Sequence, residues 1–166
     1  EAEDWFRSVP FVREAIDNGI LLAHANPFGN WRYVDGDEVY REAARVLARR
    51  GLSVGIFGHT HQCRFFTEPP RDRALGRHRL AWGPREAGAM PEVRVLNAGS
   101  IGQPRDRTRT ATMLRLKGSG RTGEATLHVV GYDVGRHLDR LRRLPLSPTT
   151  LDRLTSFFEL TMVAGS

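Results

Sequence analysis

The apolar residues Ile20-Leu21-Leu22-Ala23 form an unbroken run directly after Asn18-Gly19. A short continuous run of this kind predicts a strand buried on both faces. A second such run, Ser53-Val54-Gly55-Ile56-Phe57, follows some thirty positions later. Between them, Val39, Ala43, Val46 and Leu47 recur at helical spacing and predict a helix from Asp37 to Arg50. Asp35 stands in position to cap it, with Glu38 at capping-box spacing, and Gly51 ends it. Acidic residues open this helix and Arg45, Arg49 and Arg50 close it, as the helix dipole favours.

Elsewhere the pattern is less regular. Asp4 to Val9 reads as a short helical turn, and Asn26 to Gly36 is rich in turn residues around Trp31 and Tyr33. From Glu68 to Glu92 the Pro, Gly and Arg content predicts a long loop, broken by a short strand at His78 to Trp82. Val93 to Leu96 predicts a third strand, and Thr110 to Leu116 with Ala125 to Tyr132 a hairpin. Gly135 to Leu144 predicts a helix, and Ser147-Pro148 starts the last one. The whole is expected to be one α/β domain spanning 1–166.

Strand, helix, strand over residues 20–57 is a βαβ unit, whose crossover is expected to be right-handed and whose strands are expected to be parallel. Parallel strands bring their C-terminal ends to one sheet edge, where open α/β sheets place ligands. His24 ends the first strand, and His59 and His61 follow the second, so three imidazoles are expected at that edge. In an extended segment His59 and His61 would point the same way, with Cβ atoms ~6–7 Å apart. They could share one ion or hold one each of two ions ~3.5–4 Å apart. Histidine ligands suit Mn, Fe, Ni or Zn. The other histidines, His78, His128 and His137, read as structural or solvated.

Several metal-site patterns fail on these residues. A metallo-β-lactamase His-x-His-x-Asp-His would need Asp and His where Cys63 and Arg64 stand. A two-histidine phosphoesterase would need two separate His-x-Thr/Ser motifs. An amidohydrolase barrel needs eight strand–helix units, more than 166 residues hold.

Composition narrows the partners. The net charge is +6, and Lys117 is the only lysine among 25 basic residues. The arginines are scattered among acids without an aromatic ladder, which argues against nucleic-acid binding as the main function. No apolar run approaches ~18 residues, so no membrane span is expected. Cys63 is the only cysteine; it reads as a small buried residue, and the absence of any intrachain disulfide fits the cytoplasm.

Four segments resemble motifs of the calcineurin-like metallophosphoesterases. Gly58-His59-Thr60-His61 matches the G-H-x-H that closes the family signature. Leu22-Ala23-His24-Ala25-Asn26-Pro27 is similar to the strand ending in H-G-x-P, with Ala25 in place of glycine. Asn97 to Arg105 resembles N-P-G-S-x-G-x-P-R of the small bacterial and archaeal phosphodiesterase branch, with Ala98 in place of proline. Val130-Gly131-Tyr132-Asp133 resembles the strand near the family's C-terminus.

The resemblance implies part of a four-layer α/β/β/α sandwich and hydrolysis of a phosphomonoester or phosphodiester, such as a nucleotide, by two divalent metal ions. By position, His24 and His59 would bind one ion and His61 the other, and Arg105 would bind a phosphate oxygen. The family's D-x-H, G-D-x-x-D and G-N-H-D/E motifs have no counterpart. The resemblance therefore implies a domain lacking its N-terminal half, completed by that half or by a second chain. At most one weakly held ion and no assignable catalytic acid are then expected here. The alternatives are a degenerate, non-catalytic metal-binding or interaction module, and a basic nucleic-acid-binding domain.

Overall fold

The computed structural model describes residues 2–10, 12–15, 19–68, 77–81, 93–106, 108–119 and 122–159. The elements are α1 (Ala2–Ser8), β1 (Val12–Ala15), β2 (Ile20–Ala23), α2 (Asp37–Arg49), β3 (Val54–Phe57), β4 (Cys63–Glu68), β5 (Arg77–Ala81), β6 (Val93–Ala98), β7 (Ala111–Ser119), β8 (Thr122–Val130), α3 (Val134–Arg142) and α4 (Pro148–Glu159). They build a five-stranded sheet of order β1-β2-β3-β6-β4 and a three-stranded sheet of order β5-β8-β7.

The βαβ unit forms as the apolar runs predict. β2 and β3 pair in parallel, with Ile20 opposite Val54 and Leu22 opposite Ile56, and β3 pairs in parallel with β6. The two faces of the large sheet are buried differently. Leu21, Ala23, Phe57, Val93 and Val95 pack with Tyr40, Ala43, Ala44 and Leu47 of α2 in the larger core. On the other face Ile20, Val54 and Leu96 meet Ala125 of β8, with Leu114 of β7 packed against them. Three layers are thus in place: a helix, a mixed sheet and an antiparallel sheet.

Cover on the second face stops short of the strands' C-terminal ends. Leu22 is 40 % exposed, although its run is apolar throughout, and Ile56 beside it is half-buried. Together with Trp5 and Val9 of the α1 segment they line an open groove of ≈ 650 Å³ that ends at His24.

Several local expectations are corrected. Asp35 does not cap α2; the cap position is Gly36, at φ 79°, and it makes no side-chain cap hydrogen bond. Glycine takes this left-handed conformation at little steric cost, so the chain turns into the helix through backbone freedom. Gly51, at φ 69°, does end α2 as expected. Strands β1 and β4 were not anticipated. β4 pairs antiparallel with β6 along six positions, Cys63 to Glu68 against Ala98 to Val93, and β1 pairs antiparallel with β2. The loop predicted over 68–92 lies largely outside the described residues, apart from β5. The hairpin is longer than expected, with nine residues in each arm. α4 begins as predicted, with Ser147 Oγ accepting from the Thr150 amide at 3.3 Å.

Candidate metal centre

The segment from β2 to α2 is organised by one buried amide. Asn26 is fully buried, and its Nδ2 reaches the carbonyls of Asn30 (2.9 Å) and Arg32 (2.6 Å) and the side-chain oxygen of Asn30 (2.8 Å). Its Oδ1 accepts from the Phe28 amide at 2.8 Å. A buried amide with all its groups engaged specifies one loop conformation. That conformation brings Trp31 and Tyr33 over the histidine edge. Tyr33 stacks on His59 with ring centroids 4.5 Å apart, and Trp31 lies 5.4 Å from the same ring.

His24 and His59 meet as the parallel pairing dictates. The Gly58 amide donates to the His24 carbonyl at 2.9 Å, and the two imidazole centroids lie 5.1 Å apart. Beyond β3 the chain is not extended. His59 sits at φ 65° and His61 at φ 58°, both left-handed. Each such non-glycine residue costs on the order of 1–3 kcal/mol, and strain of this kind gathers at functional sites. The expectation that the two rings point the same way because the segment is extended therefore does not apply; loop geometry directs each ring.

The loop is held from below. Asn97 at the end of β6 donates through Nδ2 to the Gly58 carbonyl and to Thr60 Oγ1, both at 2.8 Å. Thr60 Oγ1 in turn accepts from the Gln62 amide at 3.2 Å. Thr60 and Asn97 are both buried, so these bonds are shielded from water.

Carbonyl contacts set the tautomers, because a carbonyl oxygen can accept but not donate. His61 Nδ1 donates to the Gln103 carbonyl at 2.9 Å, which leaves Nε2 with the lone pair when the ring is neutral. His59 Nε2 donates to the Trp31 carbonyl at 3.2 Å, which leaves Nδ1 with it. Partial burial, then the neighbouring His24, holds the His59 pKa below the usual histidine value. Burial first, with Arg105 and His24 adding, does the same for His61 against the opposing bond to Gln103. Both are thus biased toward the neutral, ligating form.

Arg105 is tied to this edge. Its amide donates to the His61 carbonyl at 3.0 Å, and its guanidinium donates to Tyr33 Oη at 3.3 Å and Gln103 Oε1 at 3.2 Å. Trp31, Tyr33, Asn97 and Gln103 were not foreseen as part of the site. A tryptophan and a tyrosine in the turn-rich stretch just after His24 were the available signal. His137 packs against Tyr132 and Phe158, as its structural reading expects.

The donor set does not fit a complete two-ion centre. Among the described residues no group of three or more His, Cys, Asp or Glu side chains is placed to hold an ion together. Among the described residues the charged neighbours acting on His59 are His24, His61 and Arg105, and those acting on His61 are Arg105 and His24, with no acid among them. A pair of dications needs carboxylates to offset its repulsion.

Against solved structures, the chain matches the crystal structure of a metallophosphoesterase from Sphaerobacter thermophilus, with a TM-score of 0.67 and 22 % identity. The fold is that of a metallophosphoesterase. The match covers 95 % of this chain and 62 % of the solved one, so the chain spans about three fifths of that protein's length. No protein-family model and no curated protein matches the chain. Among the described residues no helix is long and apolar enough to cross a membrane.

Proposed function

We propose that this chain serves metal-dependent hydrolysis of a phosphomonoester or phosphodiester and carries the imidazole side of the site. The observation that carries this reading is the meeting of His24 and His59 at the edge of two parallel strands, ring centroids 5.1 Å apart, in a metallophosphoesterase fold. His61 adjoins them through a loop held by Asn97, with its tautomer set by Gln103. The reading places the fold in a four-layer sandwich of the small phosphodiesterase branch, with α3 and α4 in the outer helical layer.

Carboxylate ligands come, in this reading, from a segment or second chain beyond the described residues. The half-covered face at Leu22 and Ile56 supports that view, because its groove runs up to His24. Apolar side chains left open beside a ligand edge are what a complementary segment would cover. The bound ions would polarise a phosphoryl oxygen and activate water. Histidine ligands fit Mn, Fe, Ni or Zn, and the lone cysteine fits the reducing cytoplasm.

The test is hydrolysis of bis(p-nitrophenyl) phosphate with Mn²⁺ by the gene product purified from its source and by residues 1–166 alone. The reading predicts turnover by the native product that needs metal and is lost in His59→Ala, and background turnover by residues 1–166. A native product with no turnover would leave the non-catalytic module as the better account. Robust turnover by residues 1–166 would mean that the site is complete without outside carboxylates.

A further inference from the structure

Beside Arg105, the loop after β6 and the first turns of α4 enclose a cleft of ≈ 310 Å³. Gln103, Arg105, Thr149, Thr150, Arg153 and Leu154 line it. Two of these six are arginines and none is an acid. Among the described residues neither guanidinium is ion-paired. Arg105 is fixed: its terminal nitrogens donate to Tyr33 and Gln103, and its guanidinium lies 4.9 Å from the Phe157 ring centroid. Its Nε, however, is buried and has no hydrogen-bond acceptor. That atom is closed off from the cleft, so an anion there would meet the second N–H of each terminal nitrogen, which Tyr33 and Gln103 leave over.

We propose that this cleft is an anion subsite that takes a second phosphate group of the substrate. Arg105 and Arg153 supply the charge, and the Thr149 hydroxyl supplies a further donor. The inference rests on the phosphoesterase reading for its link to a reaction, but the binding itself does not. Its position follows from shared residues. Gln103 and Arg105, which wall the cleft, are the same residues whose backbones bond His61. A phosphoester seated at the histidine edge would therefore direct a further anionic group past Arg105 into the cleft. The substrate class that fits is a phosphoester bearing at least one additional phosphate, rather than a simple monoester.

Calorimetric titration with inorganic pyrophosphate, without added metal, tests the subsite directly. Arg153 is exposed, so its replacement leaves the fold intact. Binding should weaken at least ~5-fold in Arg153→Ala and disappear in Arg153→Glu, because each step removes or reverses a guanidinium–phosphate contact. Thr149→Val should weaken it more modestly, and Arg45→Ala, exposed on α2 and not lining the cleft, should leave it unchanged. Amide shifts on titration should centre on Gln103, Arg105 and residues 149–154. No binding, or binding equal in Arg153→Glu, overturns the subsite. Pyrophosphate binding at the cleft in a native product that shows no metal-dependent turnover would keep the subsite and sink the phosphoesterase reading. Metal-dependent turnover without pyrophosphate binding would do the reverse.

Discussion

The Nδ1 of His61 donates to the backbone carbonyl of Gln103 at 2.9 Å, and that bond decides which nitrogen of the ring can take a ligand. The proton stays on Nδ1, and the lone pair of Nε2 is left available. Nitrogen-15 spectra of the imidazoles should show His61 as the Nδ1-protonated tautomer near neutral pH. His59, whose Nε2 donates to Trp31, should show the opposite tautomer. Added Zn²⁺ should then move the Nε2 resonance of His61 and the Nδ1 resonance of His59. Identical tautomers would contradict the geometry.

Asn97 is the post on which the histidine loop rests. Asn97→Ala removes the donor to both the Gly58 carbonyl and Thr60 Oγ1 in a buried setting. A loss of about 1–3 kcal/mol is expected, since buried acceptors are left unsatisfied. Urea unfolding measures it, and a change within a few tenths would show that the loop holds itself.

Gly99, just beyond, stands at φ 78°, and a Cβ there would collide with Thr112 Oγ1. That oxygen cannot simply step aside, because it accepts from the Ser100 amide at 2.9 Å. Gly99→Ala should therefore cost about 2–4 kcal/mol, from the left-handed backbone and the collision together. Thermal or urea unfolding measures the loss, and unchanged stability would mean that this turn can relax at no cost.

The βαβ unit and its edge were legible because local signals were strong. Two unbroken apolar runs flank an amphipathic helix with charge matched to its dipole, and parallel pairing then follows from topology. β4 was not legible. Cys63-Arg64-Phe65-Phe66-Thr67-Glu68 mixes polar and apolar residues without clean alternation, and its strand state comes from pairing with β6, more than twenty residues away. Val12-Arg13-Glu14-Ala15 is mixed in the same way, and its strand state comes from pairing with β2, five to eleven residues further on. The left-handed backbone at His59 and His61 was hidden for a related reason. Histidine carries no strong preference for that conformation, and it is imposed by Asn97, Thr60 and Gln103, which reach the loop from elsewhere in the chain. The role of Asn26 in presenting Trp31 and Tyr33 was likewise invisible, because only the folded loop buries its amide.

Cys63 provides a pH signature. Burial first, and the nearby Asp106 carboxylate second, push its thiol up to about 11 from the model-peptide value of 9.0. The folded protein therefore holds this proton to higher pH than the unfolded chain. The resulting contribution is fully present below about pH 9 and is lost as pH rises toward 11. Stability should decline across that window, and Cys63→Ser should flatten the decline. Alkylation by iodoacetamide at pH 8 should be slow in the native protein and fast in urea, since the thiolate is the reactive form. Rapid native alkylation would show that the thiol is more open and more acidic than its surroundings dictate.

The claim at the centre of this account is that the edge at His24, His59 and His61 is the imidazole side of a metal site and lacks its carboxylates. Calorimetric titration of residues 1–166 with Mn²⁺ and with Zn²⁺ tests it most directly, with His24→Ala, His59→Ala and His61→Ala alongside. The account predicts at most one ion, weakly held, with a dissociation constant of roughly 1 μM or above, about −8 kcal/mol or weaker. Affinity should fall at least ~10-fold in His59→Ala, whose ring lies 5.1 Å from that of His24 and which shares its loop with His61. Two tightly held ions, or binding indifferent to all three substitutions, would contradict it.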